Sequence, residues 1–351
     1  MIRTSAMGDV ALVSPVFSEM KKRYPETEII LLTRAAFNSF FNQSEKLSIF
    51  SPDFKKRHKG LFGLYRLFKD IQDKHSIDYV IDLHDVIRSK ILRFIFRHSG
   101  VPVSVIDKGR EEKREVISGK KKVQLKHTVT RYCDTFAAAG FPLIPSGNQI
   151  ISSTPSSLIR AGEIFKKKSG LNVGVAPFAK HKLKLWPKEY MVTLLNRISE
   201  RVDVKFFLFG GREESQQLDE FKKKVNGCLN LAGTLSLEEE LAVMSKLDFM
   251  IAMDSSNMHM AALAGTKVIS IWGGTDPLNG FGAWLQPTEY SVRISVDELT
   301  CRPCTIYGKG ECKRGDLACM NWLTPEKVFA GLIESKLIRS DFESDIQSFK
   351  N

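Results

Sequence analysis

Four stretches of this 351-residue chain pair chemically active residue types with a spacing that could use them. "SAMGDVAL" (5–12) sets a glycine and the carboxylate Asp9 at the head of an apolar-periodic helix. Gly8 permits the tight turn. Asp9 is left at its lip, either as a general base that takes a proton from a hydroxyl or as a helix cap. "APFAKHKLKLWPKEY" (176–190) puts Lys180, Lys182 and Lys184 on a strand-to-helix loop ahead of Trp186-Pro187, and proline is a good helix start. A lysine there neutralises phosphate, while the remainder of the run reads as solvated surface. "FGGREES" (209–215) follows a glycine pair with Glu213 and Glu214, acids that can accept from ribose hydroxyls or merely favour the helix dipole. "AMDSSNMHMAALAGTKVISIWGGTDP" (252–277) reads as strand, sharp turn, helix, glycine stop and strand. Asp254 ends the strand, Ser255 and Ser256 open the helix, and His259 lies one turn in. Unpaired amides and the positive dipole end suit a diphosphate. The plainer alternative makes Asp254 or Ser255 an N-cap and His259 a satisfied, half-buried histidine.

Other chemistries are disfavoured. There is no G-x-G-x-x-G after a strand and no G-x-x-x-x-G-K-[ST], so dinucleotide oxidoreductases and P-loop NTPases are set aside. Cys301, Cys304, Cys312 and Cys319 cluster, but the second pair is spaced C-x6-C, wider than structural zinc usually uses, and no metal site is expected. Cys133 and Cys228 read as core thiols. No secretory signal is visible at the N-terminus, so a cytoplasmic location with reduced thiols is expected. Net charge is +12, and residues 1–150 carry 26 Lys+Arg against 16 Asp+Glu, so the surplus belongs to the N-terminal half. Such a field attracts phosphorylated or acidic partners. A basic nucleic-acid-binding protein is disfavoured, because the basic runs lack the interleaved aromatics of a stacking platform.

The elements that must position these residues alternate. "EIILLT" (28–33), "IDYVIDL" (77–83) and "VPVSVID" (101–107) read as strands, with helical spacing over 10–24, 61–74 and 88–97. Pro15 breaks or restarts the first helix. The second half repeats the pattern from "NVGVAP" (172–177) to "VISIWGG" (268–274), which predicts βαβ units and parallel sheets. A Pro-, Ser- and Gly-rich stretch, 141–157, is the expected hinge between a domain over 1–160 and one over 161–330. A tail over 331–351 is expected to be helical and to pack back on the N-terminal domain. Two such domains leave a cleft, and the site is expected there, beyond the strands' carboxyl ends.

Together, "RTSAMGDVAL", "KLWPKEY", "MDSSNMHMAALAGTKVISIWGGTDP" and the segment from "CRPC" to "CM" before "LTPEKV" resemble the ADP-heptose:lipopolysaccharide heptosyltransferases of glycosyltransferase family 9, over residues 3 to about 330. The resemblance implies a GT-B fold, two Rossmann-like parallel-sheet domains facing across a cleft, with the donor on the C-terminal domain and the acceptor on the N-terminal one. It implies an inverting, metal-independent, cofactor-free transfer of heptose from ADP-heptose to a lipopolysaccharide core or related anionic glycolipid. Asp9 matches the general base of the family's S-x-x-G-D segment. Lys184 matches its phosphate-binding lysine, with Lys180 on the same loop. Asp254, Ser255 and His259 match the donor-holding D-[ST]-G-x-x-H segment, where Ser256 replaces the usual glycine. Glu213 or Glu214 takes the ribose role. Lys55, Lys56, Arg57, Lys59 and Lys120 to Lys122 would meet acceptor phosphates or the inner membrane surface by peripheral contact. The first strand is short, with only "MIRTS" before the turn, so either the start codon is misassigned or the strand is frayed. The rivals are a transferase of another nucleotide-activated sugar and a GT-B-like nucleotide-sugar epimerase.

Overall fold

The computed structural model describes residues 1–41, 46–147, 150–165 and 170–338. Their contacts divide the chain into two units, Met1–Gly109 with Lys126–Ile151, and Arg110–Leu125 with Ser152–Asn351. In the first unit the apolar run near residue 30 extends as β1 (Ile29–Leu32), parallel to β2 (Leu47–Phe50). Downstream, β3 (Val80–Asp82) runs parallel to β4 (Val103–Val105). Ile2 bridges Leu32 on one side and Asp82 on the other, both in parallel, and so joins the pairs in the order β2-β1-Ile2-β3-β4. The Ile2 N–H donates to the Ile81 carbonyl (2.8 Å), and the Leu83 N–H donates to the Ile2 carbonyl (3.1 Å). The short first strand is therefore held on both flanks rather than frayed.

The predicted helix over 10–24 is two helices, Met7–Ala11 and Ser14–Arg23. Pro15 falls in the first turn of the second, where a missing N–H costs no hydrogen bond. Val10, Leu12, Val13, Val16, Phe17 and Met20 are buried as their spacing requires. The helices Gly60–Gln72 and Ile87–His98 pack against each other. Leu64, Leu67, Phe68, Leu92 and Phe96 are buried in one core cluster, with the Phe68 and Phe96 rings edge to face at 4.9 Å.

The second unit holds β5 (Leu171–Ala176), β6 (Val204–Leu208), β7 (Cys228–Asn230), β8 (Phe249–Met253), β9 (Lys267–Ile271) and β10 (Ser291–Val292). All pair in parallel in the order β10-β9-β8-β5-β6-β7. Every residue of β8 is buried, as expected when both faces of a parallel sheet are covered. From β5 the chain builds outward through β6 to β7, then returns to lay β8 on the other side of β5. The order reverses there, so the loops leaving β5 and β8 share a topological switch point at the strands' carboxyl ends.

Residues 110–125 join the second unit through specific contacts. The Lys113 ammonium lies 4.2 Å from the Phe281 ring centroid, the Leu125 N–H donates to the Leu278 carbonyl (2.9 Å), and Lys122 pairs with Asp297 (2.5 Å). None of these partners is within 150 residues in sequence, so no local pattern announces them. The helix Pro325–Glu334 packs on the helix Lys188–Ser199 of its own unit. The rest of the expected tail, 339–351, lies outside the described residues, as do 148 and 149 within the expected hinge.

Candidate active site

In the first unit the order also reverses, between Ile2 and β3, and the loops leaving those strands carry Asp9 and His84. Asp9 sits in the first turn of the helix Met7–Ala11 with its side chain 29% exposed. Its Oδ2 accepts from Arg3 at 2.7 Å and from the Ala6 N–H at 3.3 Å. Arg3 is buried and fixed from behind, because its Nη1 donates to the Leu83 carbonyl at 2.6 Å. The Tyr132 hydroxyl donates to the Asp9 carbonyl (3.1 Å), which pins the turn. The carboxylate is thus held by Arg3 and the Ala6 N–H, with the turn tied to distant residues through Leu83 and Tyr132, and still reaches solvent. The bond to the Ala6 N–H is a capping bond, and the remaining exposure leaves the carboxylate accessible to a solute.

His84 faces the same turn. Its Nδ1 lies 3.2 Å from Thr4 Oγ1 and its Nε2 3.3 Å from Ser5 Oγ. Asp82 shapes the loop, with Oδ1 accepting from the His84 and Asp85 N–H groups and Oδ2 meeting Arg93 at 3.0 Å. Burial first, then the Arg3 and Lys108 charges, hold the His84 pKa down to about 4 from 6.5, so the ring is neutral in the folded protein near pH 7. The unfolded chain then binds more protons between pH 6.5 and 4. The stabilising contribution is complete above 6.5 and is lost as pH falls through that window, up to roughly 3 kcal/mol. Wild type should therefore lose more stability to acid than His84→Asn when denaturant midpoints are compared from pH 7 to pH 4. Matching acid profiles would contradict a buried neutral ring.

In the second unit the loop after β5 ends in a short 3-10 turn, Lys182–Lys184, and the loop after β8 carries Asp254. The two meet at the switch point, where Lys184 Nζ lies 2.7 Å from Asp254 Oδ2. Thr275, after β9, donates to the same oxygen at 2.7 Å. The Gly274 N–H binds the Leu183 carbonyl (2.8 Å), which ties the lysine turn to the β9 loop. Gly308 has φ +80°, and a Cβ there would come within 2.7 Å of the Lys184 side chain, so only glycine lets this loop lie along the lysine. Arg302 braces the β9 loop from inside. It is buried, donates to the Gly273 carbonyl (2.6 Å), the Thr275 carbonyl (2.9 Å) and the Ile294 carbonyl, and pairs with buried Asp276 at 3.4 Å.

Ser255 occupies the N-cap position of the helix Ser256–Leu263 without capping it, and its Oγ is buried with no hydrogen-bond partner among the described residues. An unsatisfied hydroxyl beside free helix amides is what a bound oxyanion would complete. Ser256 is half-buried in the first turn, and His259 is buried on the same helix. The acids divide. Glu214 Oε2 accepts from the Gly211 N–H at 2.7 Å and closes its own turn, with burial raising its pKa, whereas Glu213 is exposed. Lys180 is also exposed and takes no part in the Lys184–Asp254 pair.

All six cysteines are free thiols. Burial pushes Cys319 up to about 11 and raises Cys304 as well. Among the described residues no group of three or more His, Cys, Asp or Glu is arranged to hold a metal ion. Sequence reasoning missed Arg3, Thr4, His84 and Tyr132. For His84 a signal existed, a histidine two residues past the acid that ends a strand.

The family model described as glycosyltransferase family 9 (heptosyltransferase) matches residues 64–312. Lipooligosaccharide heptosyltransferase 2 of Campylobacter jejuni is 23% identical over 333 residues, covering 92% of this chain and 93% of that protein. Among solved structures, the glycosyl transferase family 9 protein of Veillonella parvula superposes with a TM-score of 0.73 at 18% identity, covering 97% of this chain and 96% of the other. The ADP-heptose lps heptosyltransferase II of E. coli superposes with a TM-score of 0.65 at 16% identity, covering 97% and 98%. The α/β architecture of two parallel-sheet units is the GT-B fold. With a family match over most of the chain and a shared fold from end to end, the chain belongs to glycosyltransferase family 9, the heptosyltransferases, and is a glycosyltransferase.

Proposed function

We propose that this enzyme transfers heptose, with inversion and without a metal, from ADP-heptose to a lipopolysaccharide core or related anionic glycolipid. The observation that carries the reading is the Lys184–Asp254 pair, which brings residues 70 positions apart onto one switch point beside the unsatisfied Ser255 hydroxyl. The names of the relatives support the donor and acceptor. Asp9 takes the proton of an acceptor hydroxyl, whose oxygen bonds to the anomeric carbon as the bond to the ADP oxygen breaks on the opposite face. The departing diphosphate gains charge. Lys184 and the amides at the start of Ser256–Leu263 stabilise it, and fixed donors of this kind lower such barriers by avoiding reorganisation. Asp254 orients Lys184, and His259 lines the same subsite. Glu213, free of its own turn, is the better candidate for the ribose. Lys180 offers a second, mobile charge.

The basic side chains of the N-terminal half, among them Lys55, Lys56, Arg57 and Lys59, serve an anionic acceptor and peripheral contact with the inner membrane surface. Purified protein should release ADP from ADP-heptose only when acceptor is present, and a chelator should leave the rate unchanged. Donor consumption without acceptor would favour an epimerase, a preference for another nucleotide-sugar would replace heptose, and loss of rate with chelator would end the metal-free reading.

A further inference from the structure

The helices Gly60–Gln72 and Ile87–His98 bury one side against the first unit's sheet and leave the other uncovered. That uncovered side is unusually apolar. Phe62 is 91% exposed, Ile87 78% and Leu61 66%, and Tyr65 and Phe94 are also mostly in solvent. Single exposed apolar residues need no explanation, but five on two adjoining helices form a patch of the kind that marks an interaction surface. Helical spacing groups them. Leu61, Phe62 and Tyr65 lie on a stripe that borders the core residues Leu64, Leu67 and Phe68, with the Tyr65 and Phe68 rings 6.0 Å apart, while Ile87 and Phe94, two turns apart, lie opposite Leu92 and Phe96.

The charges around the patch are mainly positive, with Asp53 in the preceding loop and Asp73 at the end of the first helix as exposed acids. Lys55, Lys56, Lys59, Arg66, Lys69, Lys90 and Arg97 are exposed. The helix Ile87–His98 contains no acid. The only acid of Gly60–Gln72 is Asp70, and it is occupied by Arg57 at 2.6 Å and His58 at 2.9 Å. An apolar stripe flanked by an excess of exposed lysines and arginines, of which Lys90 lies 3.9 Å from Asp85, fits an anionic bilayer, where the rings enter the headgroup boundary and the cations meet lipid phosphates. Cations outnumber acids on this face, which favours a bilayer over a protein partner with its usual mixed polar rim.

We infer that the exposed side of these two helices, with Leu61, Phe62, Ile87 and Phe94 as its inserting residues, docks on an anionic lipid bilayer. Leu61, Phe62 and Ile87 lie in the first turns after β2 and β3, at the carboxyl edge where Asp9 also lies. Docking by this face holds a lipid-anchored acceptor with its sugar toward that edge, a role that rests on the transferase reading above. The docking itself does not.

The test uses full-length protein sedimented with vesicles of phosphatidylglycerol and phosphatidylcholine in equal parts, or of phosphatidylcholine alone. The parent should bind the mixed vesicles at least tenfold better, and added salt should weaken that binding, since screening acts on exposed charge. Leu61→Ser with Phe62→Ser, and separately Ile87→Ser with Phe94→Ser, should each lower binding by about tenfold. Because these side chains are in solvent, the fold should persist, and the two pairs on separate helices guard against either failing. Equal binding to both vesicle types overturns the inference, as does parent-like binding by both variants. So does a shift from dimer to monomer in the variants with vesicle binding retained, since the face would then be covered by a second copy. Turnover closes the argument. The variants should match the parent on a deacylated, water-soluble acceptor and fall about tenfold on acceptor embedded in vesicles. No turnover by the parent on either acceptor would sink the transferase reading while the sedimentation result stood.

Discussion

Asp9→Asn should lower turnover by about 10²-fold or more while ADP-heptose binding, read by calorimetry, stays as in wild type. Asparagine keeps the shape of the turn and still accepts from the Ala6 N–H, so the backbone has no reason to move. It cannot take a proton. The Arg3 guanidinium keeps the Leu83 carbonyl but loses its countercharge, so some stability is lost as well, and turnover is to be compared where the variant is fully folded. A residue that serves only its helix would behave differently, with a stability loss of about 1 kcal/mol and an unchanged rate. Turnover within a few-fold of wild type, at saturating donor and acceptor, would return Asp9 to that role.

The contrast between those outcomes reflects what a sequence can carry. The strands were legible because apolar β-branched runs bounded by turn residues have a local cause, and "DFMIAMD" became β8 almost residue for residue. Lys184 and Asp254 were legible as separate motifs. Their pairing was not, because it depends on β5 and β8 being neighbours, a property of topology. The short strand at Ile2 was misjudged for the same reason, since its stability comes from partners on both sides rather than from its own length. Glu213 and Glu214 look equivalent in sequence, and only the Gly211 N–H distinguishes them. Arg3 and Arg302 are isolated basic residues with no periodicity, and each was found only by where its guanidinium is buried.

Lys184→Met should be the most damaging change in the second unit, and its two consequences can be separated. Removing the ammonium takes a charge from the departing diphosphate, a loss of about 10²- to 10³-fold in turnover by analogy with deleting one oxyanion donor. It also leaves Asp254 buried with only Thr275 to satisfy it, and breaking a buried ion pair from one side costs about 3–5 kcal/mol. A single variant therefore confounds chemistry with folding. The double variant Lys184→Met with Asp254→Asn removes both charges, and the asparagine can still accept from Thr275. Urea midpoints should recover toward wild type in the double variant. If Lys184 serves the leaving group, turnover stays low after stability returns, because nothing in the pair now faces the diphosphate. Should the rate recover along with stability, the lysine was there for Asp254 alone, and the charge opposing the diphosphate must come from elsewhere, with Lys180 and the amides at Ser255 and Ser256 the groups to vary next.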